Sequence, residues 1–156
     1  MNVPVIADGG IRFSGDLAKA IAAGADCCML GNAFAGTAES PGELIEVNGR
    51  QYKRYRGMGS AESLKENQSG RYEAFKKALV PEGVSGLTKF TGSAAEVIVQ
   101  MEGGLKKALV YAGAKNLDEF RQKAEFVRIT PAGLHESHPH SLEGFQDAVN
   151  YSRGDS

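Results

Sequence analysis

Two glycine-containing turns carry residues that could bind a phosphorylated ligand. Asp8-Gly9-Gly10 follows a short apolar segment, and Gly31-Asn32 follows the next one. Glycine lets backbone N–H groups close on a phosphate, and an adjacent carboxylate can accept hydrogen bonds from ribose hydroxyls. The alternative is that these glycines only form tight turns and that Asp8 caps the following helix. The spacing favours phosphate binding over that alternative.

A second set of backbone donors accompanies a guanidinium group in the segment Tyr55-Arg56-Gly57-Met58-Gly59-Ser60. A Gly-x-Gly pattern alone is weak evidence for a ligand site, so these residues by themselves favour a flexible loop after a hairpin. The pair Arg71-Tyr72 lies in a polar stretch and, taken alone, is typical of a solvated surface.

The segment His135-Glu136-Ser137-His138-Pro139-His140 has the composition of a metal site. Zinc usually takes four ligands, and neither a nearby cysteine nor a histidine outside this cluster is present to complete such a set. The only cysteines are Cys27 and Cys28, whose side chains would point to opposite faces of a strand. We therefore interpret them as small apolar strand residues and do not predict a zinc site.

The N-terminal residues have the pattern of a βαβ unit. Val3 to Ala7 predicts a wholly buried strand, Ser14 an N-cap for a helix to about Ala23 with Gly24 as its stop, and Cys27 to Leu30 a second buried strand. Such a unit implies a parallel sheet, in which ligands bind at the carboxyl ends of the strands. A parallel strand this early implies that preceding strands of the sheet are missing from the chain.

The middle of the chain predicts a β-hairpin followed by a long polar segment. Asn48-Gly49 lies between Leu44 to Val47 and Gln51 to Tyr55, which is a strong signal for a two-residue hairpin turn. The polar stretch that continues to Gly83 lacks sustained periodicity. A long irregular segment in a compact domain is usually functional.

Helices are predicted in the remainder of the chain. The apolar spacing from Ala94 to Tyr111 is helical, although Gly103-Gly104 weakens its middle. Asn116 can cap a short helix from Leu117 to Ala124. Beyond that, residues 126–130 are predicted to be extended, and the tail from Pro131 to be irregular.

Composition excludes several classes of protein. The chain has 156 residues and a net charge of −1 at pH 7, without a basic block that would indicate nucleic-acid or membrane-surface binding. It contains no apolar run of the roughly 20 residues needed to span a bilayer, and residues 1–7 lack the features of a signal peptide. We expect a cytoplasmic globular protein.

Taken together, these segments resemble the IMP dehydrogenases almost from end to end. The matching motifs, in the order that this family has them, are Ala7 to Ile11, Met29 to Gly31, Tyr55 to Ser60, Arg71-Tyr72, Val80 to Val84, Gly103 to Leu105 and Glu136 to His140. The related GMP reductases share the Asp-Gly-Gly and Gly-Met-x-Ser-like segments. Their usual forms lack the Arg-Tyr pair and the Glu-Ser-His-Pro-His tail, so the resemblance favours the dehydrogenase.

The resemblance implies an α/β fold, namely the C-terminal portion of a (β/α)8 TIM barrel. Residues 1–43 would hold the last two βα units with the phosphate site, residues 44–92 the hairpin and mobile flap, and residues 93–156 the C-terminal helices and cation-binding tail. The remaining N-terminal half of the barrel, which carries the catalytic cysteine, would be a partner. The resemblance also implies a homotetramer, and the chain alone is expected to be inactive.

The resemblance further implies NAD-dependent oxidation of IMP to XMP in guanine nucleotide biosynthesis, with K⁺ as a second cofactor. A cysteine attacks IMP to give a covalent thioimidate, and Arg71, assisted by Tyr72, would activate the hydrolytic water. The residues expected to bind IMP are Asp8, Gly9, Gly10, Gly31, Asn32, Tyr55, Arg56, Gly57, Met58, Gly59 and Glu82. Backbone carbonyls of Glu136, Ser137 and His138 would bind K⁺.

One departure from the family pattern falls on a site residue, because Asn32 stands where the family commonly has serine. The hydroxyl is lost, although an amide N–H can still donate to phosphate. Two other functions remain open from the sequence: a GMP reductase-like enzyme, and a non-catalytic fragment that binds a purine nucleotide.

Overall fold

A computed structural model describes residues 3–56 and 85–137 of the chain. It is a mixed α/β structure that divides into two compact units. The first unit comprises Met1–Leu30 and Ile98–Ser156, and the second comprises Gly31–Val97. Each is described by itself below.

The first unit contains the βαβ arrangement that the sequence predicts. Strand β1 (Ile6–Asp8) pairs in parallel with β2 (Cys27–Met29), and helix α1 (Ser14–Ala22) connects them. Gly24, with φ of +107°, follows the end of α1 and supplies the left-handed residue that stops a helix. The parallel pairing is confirmed, and it places the carboxyl ends of β1 and β2 side by side.

The start of α1 differs from the sequence prediction. Phe13, not Ser14, is the N-cap, and Ser14 is the first helical residue and is buried. The Asp16 carboxylate reaches back to accept hydrogen bonds from the backbone N–H groups of Phe13 (3.1 Å) and Arg12 (3.2 Å). A carboxylate in the first turn thus does the capping that was assigned to a serine hydroxyl.

The prediction of wholly buried strands is also wrong for this part of the molecule. Ile6 is 55% exposed and Met29 is 51% exposed, although Cys28 packs against the core of the unit. The reason is that this sheet has only two strands within the described residues, so most of its apolar surface has no neighbour there. The apolar residues of β1 and β2 are typical of strands inside a larger sheet, and not of the exposed positions that they occupy here.

The core of the first unit lies between three helices. Helix α3 (Ala94–Tyr111) begins in the second unit and continues into the first, and α4 is Leu117–Lys123. Phe120 of α4 packs with Ala18 and Ile21 of α1, and apolar residues of α3 complete the cluster. Both helices were predicted, and the Asn116 side chain caps α4 by accepting from the Glu119 N–H (2.8 Å).

Arg121 ties α4 to the turn that precedes β2. Its guanidinium donates to the Ala25 carbonyl (3.0 Å) and to Asp118 (3.1 Å). The neighbouring Asp26 carboxylate accepts from the Val5 N–H (2.8 Å) just before β1. These bonds hold the turn before β2 against α4 and against the residue that precedes β1.

The C-terminal residues correct another expectation. Residues 124–130 contain neither helix nor strand, but Pro131–Glu136 forms a short helix, α5, where an irregular tail was predicted. Thr130 is its N-cap and accepts from the Gly133 N–H (3.1 Å), and Pro131 is the first helical residue. A threonine before a proline is a helix-start signal, because proline lacks the N–H that the first turn leaves unpaired.

The second unit contains a short helix and an antiparallel sheet. Helix α2 is Asn32–Ala35, and the strands are β3 (Leu44–Val47), β4 (Arg50–Arg56) and β5 (Ser85–Lys89), in the order β3-β4-β5. Asn48 and Gly49 have φ of +52° and +73°. Positive φ at both positions is the conformation of a type I′ turn, so the hairpin is confirmed.

Strand β5 was not predicted from the sequence. It pairs along β4 with Tyr52 opposite Lys89 and Arg56 opposite Ser85. No local turn signal joins the two strands, because residues 57–84 separate them in the sequence. Within residues 3–56 and 85–137, no helix combines the length and hydrophobicity required to cross a bilayer.

The adjacent glycines of α3 make a testable pair. A methyl group on Gly104 would collide with the Cβ and Oγ atoms of Ser14 in α1, whereas one on Gly103 would meet no atom of residues 3–56 and 85–137 within 4 Å. Replacing an exposed helical glycine by alanine stabilises a helix by about 1 kcal/mol, and overpacking costs about 1–3 kcal/mol. We expect Gly103→Ala to stabilise the first unit and Gly104→Ala to destabilise it by about 1–2 kcal/mol in urea unfolding.

The double variant Ser14→Gly/Gly104→Ala provides the control, because removal of the Ser14 side chain relieves the collision. We compare the effect of Gly104→Ala on the free energy of unfolding in the wild type and in Ser14→Gly. The substitution should lower that free energy less in Ser14→Gly than in the wild type. Equal effects of Gly103→Ala and Gly104→Ala would contradict the close approach of α1 and α3.

Candidate functional site

The turn after β1 has a backbone conformation that requires its glycines. Gly9 and Gly10 have φ of +88° and +74°, and Asp8 ends the strand immediately before them. In the part of the chain that the structure describes, a Cβ atom on either glycine would contact nothing within 4 Å. The constraint is therefore conformational, since a side chain at positive φ costs about 1–2 kcal/mol. All three residues are exposed, as a turn that receives a ligand must be.

The end of this turn is fixed by Asp16 of α1. Its carboxylate holds the N–H groups of Arg12 and Phe13 and forms an ion pair with Lys19 (3.0 Å). Partial burial raises the pKa of Asp16, but the hydrogen bonds from Lys19 and the two backbone N–H groups outweigh it and hold the pKa below its ordinary value. Because Asp16 performs the capping, Asp8 is left available for another role, and the capping alternative for Asp8 is wrong.

The turn after β2 begins beside the end of β1. Met29, the last residue of β2, is opposite Asp8 in the parallel register. Gly31 and Asn32 follow in the sequence and belong to the second unit, where Gly31 is the N-cap of α2 and Asn32 is its first residue. Both are exposed, and a Cβ atom on Gly31 would meet no atom of the described residues within 4 Å.

Tyr55 and Arg56 are the last two residues of β4, in the same unit as Gly31 and Asn32. Tyr55 is half-buried and lies opposite Gly86 of β5, and Arg56 is exposed and lies opposite Ser85. The other predicted residues of this group lie outside the described residues, and their roles stay predictions: Gly57, Met58, Gly59, Arg71, Tyr72 and Glu82.

The two cysteines are free thiols. Cys28 is partly buried, and that burial, followed by the charge of Cys27 beside it, raises the pKa of the Cys28 thiol. A raised pKa lowers the thiolate fraction, and the thiolate is the nucleophile. Cys28 is therefore a poor candidate for covalent catalysis, in agreement with its interpretation as a strand residue.

Two of the three predicted cation ligands, Glu136 and Ser137, lie at the end of α5. Glu136 is its last helical residue, and Ser137 is the C-cap, whose N–H and hydroxyl both donate to the Gly133 carbonyl (3.1 and 2.7 Å). His138 lies outside the described residues. Within the described part, no three His, Cys, Asp or Glu side chains come together as a metal site. The backbone carbonyls of Glu136 and Ser137 lie at this end of the helix, and oxygen is the ligand atom that hard cations prefer.

One buried residue near the site was missed by the sequence interpretation. Lys53 of β4 is 6% exposed, and its ammonium group donates to the carbonyls of Ser40 (2.7 Å) and Ala38 (3.4 Å). Lysine is almost never fully buried without partners, so its sequence pattern predicts an exposed side chain. The available signal was weak, namely that Lys53 and Tyr55 fall on the same face of a predicted strand.

The lowered pKa of Asp16 predicts how acid affects the first unit. A carboxyl group whose pKa is lower in the folded state contributes stability above its ordinary pKa and loses it as the pH falls through the folded value. We expect the free energy of unfolding to fall below about pH 4, and Asp16→Asn to weaken this dependence while lowering stability at pH 7. Urea unfolding at a series of pH values measures both.

Glu125→Gln removes an exposed carboxylate from residues 124–130 and is the matched charge control. If Asp16→Asn leaves both the stability at pH 7 and its acid dependence as they are in the wild type, the capping role of Asp16 is wrong.

Comparison with known proteins identifies the family. Residues 1–140 match the family described as the IMP dehydrogenase / GMP reductase domain. The chain is 50% identical over 163 residues to the inosine-5'-monophosphate dehydrogenase of Methanocaldococcus jannaschii, which covers 98% of this chain and 33% of that protein. The proteins of the same name from Chlorobaculum parvum and Haemophilus influenzae are 52% and 51% identical, with 97% and 98% of this chain covered and 32% of each relative.

The chain thus spans about a third of the length of the curated relatives that it matches. The match takes in both turns at the strand ends, the hairpin and the three C-terminal helices described above. On this coverage and identity, the chain belongs to the IMP dehydrogenase / GMP reductase family.

Proposed function

We propose that the chain is part of an IMP dehydrogenase and takes part in the NAD-dependent oxidation of IMP to XMP in guanine nucleotide biosynthesis. The observation that carries this proposal is identity of about half over nearly the whole chain to proteins named inosine-5'-monophosphate dehydrogenase. The position of the Asp8-Gly9-Gly10 turn, at the carboxyl end of a parallel strand, supports a ligand-binding role.

The proposed architecture is the C-terminal portion of a (β/α)8 barrel. Parallel pairing of β1 with β2, with a helix between them, is the repeating unit of that fold. The exposed apolar residues Val5, Ile6 and Met29 suit a sheet that further strands continue and cover. The partner that this proposal requires is the remaining N-terminal half of the barrel, which would carry the nucleophilic cysteine.

Within the first unit, we assign the ribose and part of the phosphate to the turn after β1. The exposed Asp8 carboxylate, which α1 does not use as a cap, would accept hydrogen bonds from the ribose hydroxyls. Gly9 and Gly10 lack side chains, and their positive φ turns the backbone sharply enough for a phosphate to approach it.

Within the second unit, Gly31 and Asn32 would donate to the phosphate from the start of α2, with Tyr55 beside it. The backbone of Met58 and Gly59, together with Glu82, would contact the hypoxanthine ring, with Arg56 and Gly57 in the same segment. Asn32 retains an N–H donor where relatives of this family commonly present a hydroxyl.

Arg71 would act on the water that hydrolyses the covalent intermediate, with Tyr72 assisting. An arginine is a poor base in water because its pKa lies far above neutral pH, so that the side chain stays protonated. In the proposed mechanism, desolvation of Arg71 would disfavour its charged form, and the phenol of Tyr72, the next residue in the sequence, would give the proton a path away. The expected contribution is that of general base catalysis, about 10²–10⁴-fold in rate.

NAD would accept the hydride from the purine ring in this reaction. Backbone carbonyl groups of Glu136, Ser137 and His138 would bind K⁺, since hard cations prefer oxygen ligands. We further propose a cytoplasmic homotetramer, as the family resemblance implies.

Activity is best tested in a chimaera. The chain would replace the matching third of the Methanocaldococcus jannaschii relative, to which it is 50% identical. We expect the chimaera to form NADH from IMP and NAD, measured by absorbance. Formation of NADH would support the dehydrogenase. A well-folded chimaera that binds IMP without turnover would favour the non-catalytic nucleotide-binding fragment.

Replacement of Arg71 distinguishes dehydrogenase from reductase. In a dehydrogenase, Arg71→Ala should lower steady-state NADH formation about 10²-fold or more and preserve a first-turnover burst, because hydride transfer precedes hydrolysis. Arg128→Ala, at an exposed arginine in the irregular segment before α5, is the matched control and should retain activity. Full activity in Arg71→Ala, together with reduction of GMP by the unaltered chimaera, would favour the GMP reductase-like alternative.

A further inference from the structure

A short segment after α2 connects most of the elements of the second unit. We call residues 36–40 the strap. Thr37, which is 1% exposed, donates to the Phe34 carbonyl of α2 through both its N–H (3.1 Å) and its hydroxyl (2.9 Å). The strap is therefore fixed to the helix whose first residues, Gly31 and Asn32, are proposed to hold the phosphate.

The strap also lies alongside the residues that come directly after β5 in the sequence. The Ala38 N–H donates to the Gly92 carbonyl (2.8 Å), and the Thr91 N–H donates to the Gly36 carbonyl (2.9 Å). Gly36 lies so close to the Lys89 carbonyl that a Cβ atom would not fit there. This close approach leaves the strap little room to shift sideways.

The strap also holds the start of α3. The Glu39 carboxylate accepts from the Ala94 N–H (2.8 Å), beside a capping box in which Ser93 and Glu96 bond each other's backbone N–H groups. The hydrogen bond from Ala94 is the main reason that the pKa of Glu39 lies below its ordinary value. The anchor at α3 is thus an ionised carboxylate at a helix N terminus, which is a favourable position for it.

The fourth anchor is the buried ammonium group of Lys53. Its two acceptors, the carbonyls of Ala38 and Ser40, flank Glu39, whose carboxylate it also attracts. Side chains two residues apart on a strand share a face, so Lys53 meets the strap on the face of β4 from which Tyr55 also projects. Lys53 therefore sets the distance between the strap and the part of β4 that carries Tyr55. Because the strap is bonded to α2, Lys53 also fixes α2 relative to Tyr55.

We propose that Lys53 is a positioning residue for IMP binding, which fixes the α2 end of the phosphate site relative to Tyr55 without touching the substrate. The inference rests on the proposed function, because Gly31, Asn32 and Tyr55 are IMP-binding residues only under that proposal. Burying a lysine is costly unless its donors are satisfied. The two strap carbonyls accept hydrogen bonds from the Lys53 ammonium group in only one arrangement of the strap and β4. An apolar side chain at this position would permit several arrangements.

The test compares Lys53→Met with Lys53→Arg in the active chimaera. Methionine keeps the length and apolar stem but removes the donors, so we expect the KM for IMP to rise about tenfold or more while kcat changes by less than about threefold. Arginine restores charge and donors and should recover part of the loss. Lys89→Met removes an exposed lysine of β5 and is the matched control, expected to leave the KM unchanged.

Hydrogen exchange on the same proteins reports the anchor itself. Residues 38–40 should exchange faster in Lys53→Met than in Lys53→Arg or Lys89→Met. If Lys53→Met does not fold, Glu39→Ala takes its place, since it frees the strap from α3 at an exposed side chain and should also raise the KM for IMP.

The outcomes separate the two proposals. An inactive wild-type chimaera that does not bind IMP overturns the proposed function, and this inference falls with it. An active wild-type chimaera whose Lys53→Met variant keeps its KM for IMP overturns this inference alone, whatever the exchange result. A variant that loses kcat at unchanged KM also overturns it, because a purely structural role lowers the amount of active enzyme and not its affinity for IMP.

Discussion

The parallel pairing of β1 with β2 is the constraint on which the candidate site of the first unit depends. Parallel strands need a crossover connection, and α1 supplies it. The crossover brings Asp8 and Met29 opposite each other, so both strands end at one edge. Phe120 and Arg121 then hold the unit together, the first by filling the core against α1 and the second by bonding the turn before β2.

The second unit depends on a different kind of interaction, in which backbone carbonyls accept hydrogen bonds from the buried ammonium group of Lys53. A hairpin and a third strand form a sheet by local and ladder hydrogen bonds, but nothing in such a ladder fixes a neighbouring loop against it. Lys53 supplies that link, and Thr37 and Glu39 extend it to α2 and α3. An interior lysine has an energetic cost that an apolar side chain would avoid, so its presence agrees with a requirement for one defined geometry.

Local signals in the sequence predicted much of this structure. Asn48-Gly49 predicted the hairpin, Gly24 the end of α1 and Asn116 the start of α4, because each acts through its own backbone or a residue three or fewer positions away. The strand at β1 and the helix at α3 followed from apolar patterning. The resemblance to a family, carried by several motifs in order, predicted the membership that comparison with relatives establishes.

Three of the failures depend on residues that lie far away in the sequence. β5 pairs with a strand more than twenty-eight residues upstream. Lys53 is buried, and its ammonium group bonds to the Ala38 and Ser40 carbonyls, which lie 15 and 13 residues away in the sequence. The apolar pattern of β1 and β2 predicts strands with neighbours that cover them. The described residues do not supply these neighbours, so Ile6 and Met29 are exposed. Two failures were local instead: Asp16 displaced Ser14 as the capping side chain, and the Thr130-Pro131 start of α5 was overlooked.

A crystal structure of the chimaera with IMP bound would test the central claim, that the turn after β1 belongs to an IMP site. We expect the Asp8 carboxylate within hydrogen-bonding distance of the ribose hydroxyls and the Gly10 backbone at the phosphate. IMP bound with its ribose and phosphate away from Asp8, Gly9 and Gly10 would show that this turn does not bind the nucleotide. The family membership would stand in that case, but the assignment of this turn as the ribose and phosphate site would not.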